Sequence, residues 1–226
     1  MIRFFFCYTI FVLCSFGCRQ DTPNTDSNAS SSSEATVNEH KLILNQLNRR
    51  QATDARITGV RYQDGSFQFD LDNFELGQPT PGIQILPCPQ LEQGQHIRFL
   101  FNDGPAEVKT SSEFMRPMPD GQHHFAIFLT SSIGESIKSA QAARVGLVTI
   151  QNGNIAAMEN ISQPMIFLNL TDEPIPQPTS EEGFLLDFYV VNAALGRDYA
   201  IKIELGTKEA TINNWQPYTI SELSVG

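Results

Sequence analysis

The sequence predicts an all-β chain, and three observations carry that expectation. Short segments alternate apolar and polar residues at the period of a strand. Clusters of Gly, Asn and Pro punctuate them, and the same order of signals runs twice along the chain. Helical periodicity is scarce by comparison.

The strands follow in order. Ser66 to Asp72 places Phe67, Phe69 and Leu71 on one face and Gln68, Asp70 and Asp72 toward water. His96 to Phe101, His124 to Thr130, Arg144 to Ile150, Phe184 to Val191 and Tyr199 to Leu205 read the same way. Asn102-Asp103-Gly104-Pro105 and Gln151-Asn152-Gly153-Asn154 are turns, because Gly and Asn tolerate the left-handed backbone that tight reversals need. Ser132 to Ala143 is expected to carry one short helix. His40 to Gln51, with Leu42, Ile43, Leu44 and Leu47 ahead of Arg49 and Arg50, reads as a turn or two of amphipathic helix. It either leads into the fold and packs locally or turns its arginines to anionic lipid.

The repeat sets the organisation. FQFDLDNFELG, HIRFLFNDGPAEVK, Phe114 and PMPDGQHHFAIFL run in one half; LLDFYVVNAALG, YAIKIELGTKEATINNW and QPYTISELSVG run in the other. Asn73 and Asn192 hold equivalent places and are expected to turn the chain at a strand end. A unit of about seven short strands in ~90 residues fits an immunoglobulin-like β-sandwich. Residues 53–155 are expected to form the first unit and 156–226 the second.

Ahead of them stands an export pattern. Arg3, an apolar run from Phe4 to Leu13, and Ser15-Phe16-Gly17-Cys18 read as a lipoprotein signal over residues 1–17. The run falls short of the ~20 residues that cross a ~30 Å bilayer core. Cys18 is the expected acylation site, fastening the chain to a bacterial outer membrane on its periplasmic or surface face. An ordinary cleaved signal and a retained anchor are the alternatives. Residues 18–52 then form a tether and lead-in, since the stretch from Arg19 to Glu39 has almost nothing apolar to repay ordering. Of four cysteines, Cys7 and Cys14 leave with the signal and Cys18 takes lipid, so Cys88 remains alone, with no disulfide and no thiolate zinc site.

Composition narrows function. A formal charge of −10 disfavours nucleic acid, which rewards clustered Lys and Arg. No G-x-S-x-G elbow, P-loop or dinucleotide fingerprint occurs, and Asp70, Asp72 and Glu75 alternate along a solvated face, so neither an enzyme nor a cofactor is expected. His123 and His124 point to opposite faces if both lie in a strand. His96 could approach one of them across neighbouring strands and, with Asp103 or Glu135, make a weak transition-metal site. Contact is expected from the loops Asn102 to Pro119 and Asn213 to Tyr218, with Asp103, Arg98, Lys109, Trp215 and Tyr218 as candidates. Trp215 either stacks on a partner or plugs the end of a sandwich; Phe74 and Phe114 share that ambiguity.

GQHIRFLFNDGPAEV, DGQHHFAIFLTSSIGESIKSAQAA, GFLLDFYVVNAALG and NNWQPYTISELSVG resemble a group of Bacteroidetes lipoproteins commonly labelled phosphopeptide-binding protein. The resemblance runs from about Gly65 to Gly226. This chain departs where members read His-Ile-His, having His96-Ile97-Arg98, and where they read Ser-Tyr-His-Glu-Ser, having Ser132-Ile133-Gly134-Glu135-Ser136. A metal site on those histidines would be two ligands short here. Members also continue past the glycine matching Gly226 with closing strands. The resemblance thus implies a second unit lacking its closing strand or strands. Such a unit is less stable, is completed by another chain, or is covered by the segment around Leu42 to Leu47. Phosphopeptide binding needs a basic pocket, and Arg98, Lys109, Lys202 and Lys208 are few in an acidic chain. The expected function is a non-catalytic binding or scaffolding lipoprotein with an envelope protein or glycan partner. The alternative is a metal-handling or hydrolytic protein using His96, His123 or His124.

Overall fold

The structure, a computed structural model, describes residues 41–47, 54–82, 90–171 and 183–221. Cys18, Cys88 and the export segment lie outside the described residues. Every regular element among those described is a strand except one 3₁₀ turn, Ala140–Ala142, so the expected helix over Ser132 to Ala143 shrinks to that turn, capped by Ser139.

In the first half, β2 (Arg56–Gln63), β3 (Ser66–Asp72) and β6 (Glu113–Met115) form one antiparallel sheet in the order β2-β3-β6. A second, in the order β5-β4-β7-β8-β9, is built from β4 (His96–Phe101), β5 (Glu107–Lys109), β7 (Gly121–Thr130), β8 (Ala143–Gln151) and β9 (Asn154–Glu159). The predicted alternation explains why they face each other. Ile57, Phe67 and Phe69 meet Ile97, Phe99, Ile127, Leu129 and Val148 in one core, with the Phe67 and Phe99 rings 5.1 Å apart. Each such fully buried side chain contributes about 2–3 kcal/mol, so this sandwich is the chief source of order in the half.

The second half has β10 (Met165–Leu168) paired with β12 (Phe188–Val191), the hairpin of β13 (Ile201–Leu205) and β14 (Lys208–Ile212), and β11 (Phe184–Leu186) paired with β15 (Tyr218–Ser221). The single strand expected over Phe184 to Val191 is broken at Asp187. Before it the chain pairs with β15, after it with β10.

Two findings depart from the sequence reading. His40 to Gln51 does not give a helix where it is described. Ile43–Gln46 is strand β1, antiparallel to β15 from Ile43 opposite Ser221 to Gln46 opposite Tyr218. The β15 edge is thus covered by the segment around Leu42 to Leu47, one of the three outcomes expected there. Leu42 beside it is 2% exposed and packs with Phe188, Ile212 and Ile220. A four-residue strand can satisfy the β15 edge with backbone alone; an isolated two-turn helix would be marginal in water.

The centre of the five-stranded sheet, where β4 pairs with β7, is moreover buried on both faces. Ile97, Phe99, Ile127 and Leu129 face the first core, while Leu100, Ala126 and Phe128 face Phe167 and Tyr189 of the second half. The Phe128 and Tyr189 rings stack at 5.5 Å. The continuous apolar run from Phe125 to Leu129 in β7 is the signature of a strand covered on two sides. Asn73 and Asn192 both turn the chain with a positive φ, of 52° and 55°, as Asn102 and Asn152 also do. The Asn73 amide donates to the Asp54 carbonyl and the Asn192 amide to that of Gln163.

Candidate functional site

Most of the buried polar side chains, Gln95 and Thr219 aside, gather at one end of the central sheet, where the two halves meet. They are His96 and Arg98 on β4, Thr130 at the end of β7, Ser131, Ser132, Glu135 and Ser136 in the loop that follows, Asn169 after β10, and Asp187. Burying that many polar groups is costly unless hydrogen bonds compensate, so the loop's backbone accounting decides whether it can sit there. Ser131 N–H donates to the Glu135 carbonyl at 2.8 Å and Gly134 N–H to that of Ser131 at 3.0 Å. Gly134 has a φ of +86°, a conformation that a side chain would strain. Ser132 and Thr80 exchange bonds: each backbone N–H donates to the other's hydroxyl, at 2.8 and 3.0 Å. Ile133 is pinned between Leu47 and Leu185, so the loop touches the lead-in as well as the second half.

Asp187 is the hub. Its Oδ1 lies 2.5 Å from Lys138 Nζ, and its Oδ2 accepts from Ser136 N–H at 2.8 Å and Asn169 Nδ2 at 2.8 Å. Lys138 also donates to Ser136 Oγ at 2.5 Å and to the Phe188 carbonyl at 2.9 Å, and Asn169 Nδ2 to the Gly134 carbonyl at 2.8 Å. Burial pulls the Lys138 ammonium below its usual range, against the Asp187 carboxylate, which favours the charged form. An amine and a carboxylate are therefore held in contact with side-chain exposures of 10% and 1%.

His96 is fully buried. Its Nδ1 lies 2.7 Å from the Gly94 carbonyl, an acceptor, so Nδ1 carries the proton and Nε2 the lone pair. Burial first, and the Arg98 charge second, push its pKa down to about 4 despite the bond to Gly94. The ring is neutral at pH 7.

The structure does not bring the sequence-predicted histidines together. The β4–β7 ladder runs from His96 opposite Thr130 to Phe101 opposite Phe125, and His123 and His124 lie beyond its far end. At ~3.4 Å per residue that puts the length of β4, about 17 Å or more, between them and His96, which corrects the expected approach across neighbouring strands. His123 uses both ring nitrogens locally, Nε2 on the Pro119 carbonyl at 2.9 Å and Nδ1 on the Asn102 amide at 3.2 Å. Among the described residues no group of three or more His, Cys, Asp or Glu could hold a metal ion.

Several contact candidates also turn inward. Arg98 is 5% exposed, so it is no loop cation; its Nη2 is 3.9 Å from where a Cβ on Gly134 would stand. Arg98 and Gly134 are therefore neighbours in space. Tyr218 is buried and donates to the Asn214 carbonyl at 3.2 Å. Trp215 closes the end of the second core, its indole N–H on the Phe188 carbonyl at 3.2 Å and its ring edge-on to Tyr189 at 5.0 Å. Lys202 is held by Glu204 and Glu209 at 2.8 and 2.7 Å.

Asp103 stays exposed in the turn after β4. Nearby, Glu107 accepts from Lys109 at 2.9 Å and Arg116 at 2.7 Å, and the Arg116 guanidinium lies 5.0 Å over the Phe101 ring. Burial raises the Glu107 carboxyl, but the bonds and charges of the two cations outweigh it and hold it below its ordinary value. Met115, between Phe114 and Arg116, is 65% exposed.

Compared with protein-family models, curated proteins and solved structures, the chain matches none.

Lys138, Asn169 and Asp187 went unnoticed in the sequence because none belongs to a spaced motif. One signal was available: Asp187 is an acid inside the apolar run FLLDFYVV, where a half-buried strand has no use for it.

Proposed function

We propose that this protein is a membrane-anchored lipoprotein of a bacterial envelope, held by acylated Cys18, whose two immunoglobulin-like units act as a non-catalytic binding or scaffolding module. The observation that supports this reading most is the surface carried by β5 and β6. Met115 on β6 stands 65% exposed, and Lys109 on β5 and Arg116 after β6 are held by Glu107 and by the Phe114 and Phe101 rings. An exposed thioether together with fixed cations offers contacts to a partner, since Met and Arg are enriched at interface centres. The partner is an envelope protein or glycan offering an apolar spot and anionic groups. The paired sheets of the first half and the matched Asn73 and Asn192 turns support the immunoglobulin-like assignment.

The test is photo-crosslinking from position 115 in intact envelopes, beside fractionation of a Cys18→Ser variant. A discrete adduct and release of the variant from membranes are expected. No adduct above background, or a variant that still partitions with membranes, rejects the corresponding half of the proposal.

A further inference from the structure

The buried cluster around Asp187 holds the parts of a condensation reaction. We propose that Lys138 and Asp187 join in an intramolecular isopeptide bond that locks the two halves of the protein together.

The geometry supplies each role. Lys138 Nζ lies 2.5 Å from Asp187 Oδ1, and the pair is shielded from water, which would otherwise favour the separated ions. Proton transfer from Nζ to Oδ1 gives an amine and a carboxylic acid, both neutral and both suited to a low-dielectric site. The burial that lowers the Lys138 pKa works in the same direction. The amine lone pair then attacks Cγ, and the Cγ–Oδ2 electrons move onto Oδ2. Two donors already wait there, the Ser136 backbone N–H and Asn169 Nδ2, each at 2.8 Å. That is the arrangement and distance of an oxyanion hole. A second Nζ proton passes through Ser136 Oγ, 2.5 Å from Nζ, to the Oδ1 hydroxyl. The carbonyl re-forms, the Cγ–Oδ1 bond breaks and one water leaves. Ammonium plus carboxylate become a neutral amide plus water, with no oxidant, cofactor or activated group consumed. The N–H left on the product has its acceptor in the Phe188 carbonyl, 2.9 Å from Nζ.

Two further features favour reaction over a permanent ion pair. Fixing both groups in contact makes the step effectively unimolecular, which removes most of its entropic barrier. Both ends are also anchored: Lys138 follows the tightly bonded loop from Ser131 to Ser136, and Asp187 sits where the chain leaves β15 for β10. No cysteine lies among the described residues, so a disulfide does not take this place.

The full-length protein, denatured and digested with trypsin, is the sample, and mass spectrometry is the readout. The expected result is a branched peptide in which the segment containing Lys138 is joined to the segment containing Asp187, lighter than their sum by one water, with no cleavage after Lys138. Lys138→Arg and Asp187→Ala should each give only linear peptides, and Asn169→Ala, which removes one Oδ2 donor, should slow conversion in freshly made protein. Complete tryptic cleavage after Lys138 in the native-sequence protein shows an ion pair only and overturns the proposal. So does a branched peptide joining Lys138 to Asn169 with loss of ammonia, which would make Asp187 the proton carrier and not the acceptor. The native-sequence measurement stands even if the variants fail to fold.

Discussion

Leu44 of β1 lies directly opposite Ile220 of β15, with the Leu42 N–H donating to the Glu209 carbonyl at 2.9 Å and the Leu47 N–H to that of Pro217 at 3.0 Å. The N-terminal lead-in is thus part of the second half's sheet, although the first half lies between them in sequence.

Replacing Leu42 with Ala tests how far the second half depends on that strand. Leu42 is 2% exposed, and truncating such a residue costs about 2–4 kcal/mol through lost burial and the cavity left behind. Amide exchange should quicken at Tyr218 to Ser221 and at Phe184 to Leu186, while β7 keeps its protection. Equal protection at β15 in both proteins would show that β1 is ornamental.

Stability should fall with acid through His96. Its pKa is about 4 in the fold against 6.5 for the ordinary side chain, so the unfolded chain binds the proton more tightly. The contribution is complete above the unfolded value and lost progressively as pH falls from 6.5 toward 4, to a ceiling of about 3 kcal/mol. Urea midpoints measured across that range should drop. His96→Gln, which keeps an N–H for the Gly94 carbonyl but does not titrate, should flatten the slope. An unchanged slope would assign the acid sensitivity elsewhere.

Two glycines near this site should respond differently to Ala. A Cβ on Gly94 would stand 2.6 Å from the Gly77 carbonyl carbon and 2.7 Å from its oxygen, at a φ of +63°, so backbone must move. On Gly134 the nearest atom, Leu91 Cδ1, is at 3.4 Å, which leaves only the strain of a φ of +86°. Gly134→Ala should cost about 1–2 kcal/mol and Gly94→Ala more than that. Chemical denaturation orders them, and the reverse order would contradict the packing at Gly77.

The sheets were legible where one residue type decided them. Alternation gave β3 and β4 their observed bounds, because Phe67, Phe69 and Phe99 need one buried face. The edge strands β5, β6 and β9 were not legible: each is short and mostly half-buried or exposed, and pairing, not periodicity, makes it a strand. Across His40 to Gln51 the four apolar residues Leu42, Ile43, Leu44 and Leu47 fit the helix and the strand period alike, and only the edge of β15 chooses between them. The buried cluster escaped for a similar reason. Lys138, Asn169 and Asp187 are far apart in sequence, and loop closure brings them together without leaving a spacing to recognise.

Met115→Asp separates contact from stability. The side chain is 65% exposed and sits on a three-residue strand, so its replacement should change folding free energy by less than about 0.5 kcal/mol. A carboxylate at position 115 would still remove the apolar spot and set a like charge against the anionic groups of the partner proposed for this surface. Co-purification of the partner from crosslinked envelopes should fall at least about tenfold, the factor that a loss of ~1.4 kcal/mol gives. Retention at native level by a folded Met115→Asp protein would move the contact surface away from β6. Loss of retention together with a lowered urea midpoint would instead show that Met115 is structural.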